Sequence, residues 1–211
     1  MEKPMSEIVE QRRATPSFDG TPIPDADLKR ILEAGLKAPS GYNLQPWRFV
    51  VVRTPEQRRR LRGASFNQAK VEEASAVIVA CGDKDSWRSD LDEMIRMGRE
   101  GGMTENYAEQ ARVNIPEYLG NHPNLTAWLN RHVMIALTTM LWMAEALGYD
   151  TAPMEGYEAD KVAEVLRLPL SYEVVALLAI GHLKGPDKFN GGRFSMQRTV
   201  FDGEYGKPMR L

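Results

Sequence analysis

The chain has 211 residues, 43% of them hydrophobic, and sets 27 Lys and Arg against 29 Asp and Glu for a formal charge of −2. That size fits one or at most two ordinary soluble domains, and the balance offers no global basic field for nucleic acid. Cys81 is the only cysteine, which excludes an internal disulfide and any multi-cysteine metal site, and no run of 18 apolar residues exists to span a membrane. The first residues carry Glu2, Lys3 and Glu7 and no apolar leader segment, so the reading is a cytoplasmic protein.

In chain order, Ser6 is placed to cap a short helix through Arg12. Pro24-Asp25 opens a helix over 25–37, with Leu28, Ile31, Leu32 and Leu36 on one buried face. A polar segment bracketed by Pro39 and Pro46 follows, too rich in Ser, Gly, Asn and Gln for regular structure. Apolar runs at 48–53, 76–81 and 173–181 read as strands, and their near-continuous β-branched character suits a sheet covered on both faces. Between the first two, Thr54-Pro55-Glu56-Gln57 reads as a helix start, and Arg58, Arg59, Arg60 and Arg62 as that helix's solvated face. Cys81 closes the second strand as a buried core residue.

Residues 84–122 form a polar excursion with Trp87, Met94, Met97, Gly98, Gly101, Gly102, Met103, Tyr107 and Tyr118, poor in helical periodicity. An excursion of that length is usually functional or disordered. A long helix then runs from Pro123 to Leu147, apolar almost all round past residue 132 apart from Glu145. One side can lie on the chain's own sheet, and a partner subunit is the simplest cover for the other. After Gly185 the tail is rich in Gly and Pro, with Phe189, Phe194, Phe201 and Tyr205 as scattered anchors.

Five segments belong together. The loop Pro39-Ser40-Gly41-Tyr42-Asn43-Leu44-Gln45-Pro46-Trp47 resembles the Pro-Ser-x-x-Asn-x-Gln-Pro-Trp loop of the FMN-dependent nitroreductase family. Arg12-Arg13-Ala14-Thr15-Pro16-Ser17-Phe18 is similar to its N-terminal Arg-rich motif, and Asn67-Gln68-Ala69-Lys70 to its Asn-x-x-Lys. Leu147 to Gly156 matches the segment that runs past the flavin ring, and Gly192-Arg193 stands where the family places a phosphate-binding Arg. The resemblance covers residues 12 to 193. It implies an α+β three-layer fold, a mostly antiparallel sheet flanked by helices, in an intertwined homodimer of single-domain chains (1–211). Residues 84–122 would then be a helical lid over the flavin's exposed face, and about 185–211 an arm on the partner subunit.

A flavin site needs fixed cations for the phosphate, an amide for the pyrimidine edge, and positive charge for the reduced ring. The resemblance gives the phosphate to Arg12, Arg13 and Arg193, with Ala14 within the same motif, and the pyrimidine edge to Asn67 and Lys70. An i, i+3 spacing would put that pair on one face of a helical turn. It places Pro39, Ser40, Gly41 and Asn43 against the ring or ribityl chain. Pro153, Met154, Glu155 and Gly156 run along the ring, with the Glu155 backbone N–H toward flavin N5. Tyr42, Tyr107 and Trp128 would wall the substrate space. No metal site is supported by His122, His132 and His182, and without a Gly-x-Gly-x-x-Gly fingerprint NAD(P)H would be a transient electron donor.

The chain departs from the family at four positions. Ala14 replaces a Ser, Pro16 stands where a Lys or Arg is common, and Gly191 replaces a Lys for which Lys184 or Lys188 could substitute. His132 stands where a close member would have Gln, and reads as a satisfied, partly buried side chain. The function implied is ping-pong reduction of nitroaromatics, quinones or similar small electrophiles by NAD(P)H through FMN. The alternatives are enal reduction or reductive dehalogenation on the same scaffold, or a non-catalytic flavin-binding storage or sensing dimer.

Overall fold

Strong side-chain alternation along the apolar runs builds the centre of the molecule. In the computed structural model, which describes residues 2–186 and 191–210, the strands are β1 (Trp47–Val52), β2 (Ala76–Asp83), β3 (Asp150–Met154) and β4 (Tyr172–Gly181). Lys188 and Phe189 lie outside the described residues. The sheet order is β1-β2-β4-β3, antiparallel throughout. Three strands stand where the apolar runs predict them. β3 was not foreseen as a strand, because Pro153 argues against one. It is tolerated because β3 is an edge strand, where a residue without an N–H costs no central ladder bond.

One face of the sheet presents Ile78, Ala80, Ala176, Leu178 and Ile180 to α2 (Asp25–Leu36) and α8 (Leu125–Ala146). The other presents Val77, Val79, Cys81, Leu177 and Ala179 to α3 (Pro55–Gly63), α4 (Ala69–Glu73) and α9 (Ala159–Leu166). This is the three-layer α+β fold. Each Leu or Ile buried completely in it contributes about 1.5–3 kcal/mol. Cys81 is fully buried and its thiol is pushed up to about 12 by that burial, so it is a core residue and no nucleophile.

Several local expectations change. The first helix, α1 (Met5–Gln11), starts after Pro4 with no side-chain cap, so Ser6 sits inside it. The Thr54 hydroxyl accepts the Gln57 N–H and caps α3 as the sequence predicts. The arginines of α3 are not simply solvated. Arg58 donates to the carbonyls of Glu72 and Ser75, while Arg59 and Arg62 pair with the Glu72 carboxylate, tying α3 to α4.

The polar excursion is helical in spite of its poor periodicity. It holds α5 (Ser86–Ser89), α6 (Leu91–Glu100) and α7 (Glu105–Gly120), the last continuing through Pro116. These helices have a small core of their own, in which Leu91, Met94, Ile95, Ala108, Ile115 and Leu119 pack on Leu44, Trp128 and Leu129. Gly102 adopts φ +96° at the tight turn between α6 and α7, a conformation that needs Gly. In the tail, α10 (Met196–Thr199) and the Phe201–Pro208 bridge leave Phe194 and Tyr205 largely exposed, and the rings stack on neighbouring tail residues.

Candidate active site

The predicted site residues fall into two groups at different corners of the sheet. The first lies along the edge strand β3. Residue 14 bridges to Thr151 in parallel fashion and the Thr15 N–H donates to the Thr151 carbonyl at 2.9 Å, so the Arg-rich segment runs beside β3. Arg12 ends α1, and its Nη1 is buried with no hydrogen-bond partner among the described residues. It lines a cavity of about 240 Å³ with Lys3, Arg13, Thr15, Glu145 and Asp150. Arg13 donates through Nη1 to the carbonyls of Glu10 and Arg12, both at 2.8 Å, and so closes the end of α1. Arg13 also lines a neighbouring cavity of about 320 Å³ with Arg193, so the three predicted phosphate arginines converge around the end of α1.

The same edge gathers the other two motifs. The Gln68 side-chain amide donates to the Gly156 carbonyl at 2.7 Å and to that of Ser65 at 3.2 Å, clamping residues 153–156 beside the 65–70 segment. A Cβ at Gly156 would stand 2.8 Å from the Gln68 amide nitrogen, so a larger residue there would push the clamping side chain aside. Asn67 is not on a helical turn with Lys70. It precedes α4 in a left-handed conformation, φ +55°, directly after Phe66 at φ +51°. That pair of residues turns the exposed Asn67 side chain out of the helix, while Lys70, half-buried, lies in its first turn. Burial holds the Lys70 ammonium below its ordinary range, and no Asp or Glu offsets the effect. Glu155 is exposed and Met154 buried at the turn after β3.

The second group is the loop before β1, which forms a single 3-10 turn over Gly41–Asn43 instead of wholly irregular chain. Tyr42, Asn43 and Gln45 all have positive φ (57°, 56° and 49°), held by the Ser40 hydroxyl accepting the Gln45 N–H at 2.9 Å. Such conformations cost on the order of 1 kcal/mol each for non-Gly residues and persist where the surroundings over-determine them. Here the surroundings are α8 and α7. The Gly41 N–H donates to His132 Nδ1 at 3.4 Å, and His132 packs on Trp128 with ring centroids 4.2 Å apart. His132 is therefore a partly buried, satisfied side chain, with its imidazole held below the usual range by burial and then by Arg131. Tyr42 meets Tyr118 edge-on at 6.2 Å, and Tyr118 meets His122 at 5.4 Å. Tyr107 lies on the same helix as Tyr118 but roughly 16 Å away at about 1.5 Å per residue, and Trp128 is buried in the helical excursion's core.

The two groups are far apart in one chain. They occupy opposite edges of the sheet, separated by three strand spacings or roughly 14 Å. Along α8, His132 beside the loop and Glu145 beside Arg12 are separated by roughly 20 Å.

Three residues with a hand in this geometry were not read from the sequence as site residues. Gln68 sat inside a quoted motif, yet only its contacts give it the clamping role. Arg48 pairs with Asp83 and Asp90 and donates to the Gln45 and Trp47 carbonyls, joining the loop, the sheet and the start of α6. Glu145 did carry a signal, as a lone acid in an apolar helix. It is buried, accepts the Thr151 hydroxyl at 2.6 Å, and is pushed up to about 7 by burial. Among the described residues, no cluster of three or more His, Cys, Asp or Glu could hold a metal ion, and no helix is long and apolar enough to cross a membrane.

Comparison with known proteins gives one consistent result. The model of the nitroreductase family matches residues 9–182. An NADH dehydrogenase of Thermus thermophilus is 37% identical over 190 residues, covering 90% of this chain and 91% of that protein. A Staphylococcus epidermidis protein assigned as an NAD(P)H:FMN oxidoreductase superposes with a TM-score of 0.87 at 24% identity, over 94% of this chain and 96% of that one. An Exiguobacterium sibiricum protein, assigned as a nitroreductase and solved in complex with FMN, gives 0.83 at 30% identity, over 96% and 98% of the two chains.

Proposed function

The chain belongs to the nitroreductase family, and we propose that it works as an FMN-dependent oxidoreductase whose site is completed by a second copy of the chain. NAD(P)H is the electron donor, and planar electrophiles such as nitroaromatics or quinones are the acceptors, taken in ping-pong order. The observation that carries the reading is the buried, unpartnered Arg12 Nη1 in a cavity shared with Arg13. A buried guanidinium nitrogen without an acceptor is costly unless an anion meets it, and a phosphate is the acceptor that Arg grips best.

FMN, when bound, would supply the two-electron redox chemistry between NAD(P)H and the electrophile. The chain's own residues do the rest. Arg12, Arg13 and Arg193 fix the phosphate end. Lys70 carries a desolvated positive charge to the pyrimidine edge, and with Pro16 in place of a second cation it carries that charge alone among the motif residues. The Glu155 N–H would supply a donor toward flavin N5. Ser40, Gly41 and Asn43 belong to the other edge of the sheet, so the same ring can meet them only if a partner's loop is brought against this chain's β3 edge. Exposed Ile135 on α8, exposed Met5 and Val9 on α1, and the outward aromatic tail suit that pairing. Tyr42 and Tyr118 then form an aromatic rim over the ring, and the α5–α7 excursion acts as the lid.

Titration with FMN tests the reading at its base. A yellow protein holding one FMN per chain, bleached by NADH or NADPH and giving parallel steady-state lines, is the expected result. A colourless protein that takes up no FMN would overturn it. FMN that neither nucleotide reduces would favour a flavin-binding storage or sensing role.

A further inference from the structure

The cavity at Arg12 holds a charged group that the redox reading does not use. Glu145 is the lone acid of an otherwise apolar stretch of α8, and its residue is only 8% exposed. One carboxylate oxygen accepts the Thr151 hydroxyl at 2.6 Å. Among the described residues no cation stands within ion-pair distance: Arg12, Arg13 and Lys3 share its cavity, yet none is among its salt-bridge partners, and Arg12 Nη1 has no acceptor. The groups facing Glu145 come from every element around it. Lys3, Gln11, Arg12, Arg13 and Thr15 arrive from the N-terminal segment and α1, and Asp150 and Thr151 from β3. Asp150 is engaged elsewhere, accepting the Leu183 N–H at 2.7 Å.

Charge in this cavity is therefore finely divided. With both carboxyls ionised, three cations face two anions. Protonating Glu145 leaves three facing one, without loss of a hydrogen bond, since the Thr151 hydroxyl can still donate to the carbonyl oxygen of a neutral acid. An incoming dianion favours the more positive cavity.

We propose that Glu145 is a positioning residue of the phosphate site, and that binding a phosphate monoester at Arg12 is coupled to uptake of a proton by Glu145. The burial that pushes Glu145 up to about 7 places this coupling in the neutral range. Asp150 and Thr151, one residue apart on β3, would act on it in opposite senses, the first repelling the carboxylate and the second stabilising it. The inference rests on FMN binding at Arg12, as proposed above.

The experiment compares the full-length wild-type chain with Glu145→Gln, which keeps the size and the acceptor for Thr151. FMN and riboflavin dissociation constants are measured by flavin fluorescence between pH 6 and 8.5. For FMN, the two proteins should agree within about twofold at pH 6. At pH 8.5 the Gln variant should bind on the order of tenfold tighter, the ratio given by one pKa unit of coupling. Riboflavin, which lacks the phosphate, should show no such divergence. Calorimetry on the unmodified protein gives an independent reading. FMN titrated at pH 7.5 in buffers of different ionisation enthalpy should show net proton uptake, since the FMN phosphate is already a dianion there. A pH-independent ratio between variant and wild type, an equal divergence with riboflavin, or the absence of proton uptake would each overturn the proposal while leaving FMN binding intact. Failure of the wild type to bind FMN at any pH would remove both readings together.

Discussion

The two halves of the candidate site are held by different physics. The β3-edge half is a backbone construction: a strand edge, a parallel bridge to residue 14, and an amide clamp from Gln68, with cations at one end. The loop half has little sheet to lean on. Three left-handed residues are locked by one serine hydroxyl, one histidine and a wall of aromatic rings carried on helices. The first arrangement suits a fixed charge pattern that recognises an invariant cofactor. The second suits a contoured surface whose shape is set by side chains, which is where selection among substrates belongs.

If the halves of two copies make one site, defects on different halves should complement. Arg12→Ala should weaken FMN binding on the order of 10- to 100-fold, as loss of a charge-assisted phosphate contact does. Gly41→Glu should displace the loop, since even a methyl there would stand 3.0 Å from the Trp128 ring. Each variant alone should bind FMN poorly. Unfolded together and refolded, random pairing should restore normal affinity at about one quarter of the sites, because each mixed dimer regains one intact site and loses the other. Flavin titration reads that fraction, and no recovery in the mixture would place both halves within a single chain and break the comparison.

The charged half should also leave its mark on stability. Glu145 is held above its ordinary range when folded, so its contribution is fully present below about pH 4.5 and is lost as pH rises through about 7. Glu145→Gln cannot ionise and escapes this loss. Wild type and variant should therefore unfold alike in urea at pH 4.5, with the variant more stable by up to about 3 kcal/mol at pH 8. No loop-half substitution should show that pH dependence. A gap that is constant with pH would mean that Glu145 matters only for packing.

The division also explains what was legible from sequence. The sheet's central strands and both covered faces follow from runs of apolar residues, because burial on two sides leaves a mark that needs no partner to interpret. β3 was hidden because Pro153 and the polar Asp150 and Thr151 break that mark at an edge, where hydrogen bonding tolerates them. The excursion hid its helices because a small satellite core needs only a few apolar positions per helix, and charged residues such as Arg96 and Arg99 dominate the rest. Ion pairs on the exposed faces, Arg96 with Glu93 and Arg99 with Glu105, hold those positions. Motif order picked out the segments that the fold gathers at the two edges of the sheet. It could not show that Asn67 turns left-handed and leaves the helix of Lys70, or that Glu145 faces Arg12, because both follow from how distant segments pack.

The smallest expected effect tests the selecting half alone. Tyr118 is about half exposed and meets Tyr42 edge-on at 6.2 Å, whereas the sequence pointed to Tyr107, roughly three helical turns away. Edge-to-face aromatic pairs contribute about 0.5–1.5 kcal/mol, so Tyr118→Ala should free the Tyr42 ring without unfolding α7, whose own core is formed by Ala108, Ala111, Ile115 and Leu119. FMN affinity should stay within about twofold, because the cations that hold the phosphate lie at the far end of α8. The ratio of kcat/KM for a bulky quinone to that for a small nitroaromatic should shift by roughly three- to tenfold, the range that 0.5–1.5 kcal/mol implies. Tyr107→Ala should leave the same ratio unmoved. If Tyr107 moved it and Tyr118 did not, the substrate would be approaching along the other end of α7, and the rim at Tyr42 would have no part in selection.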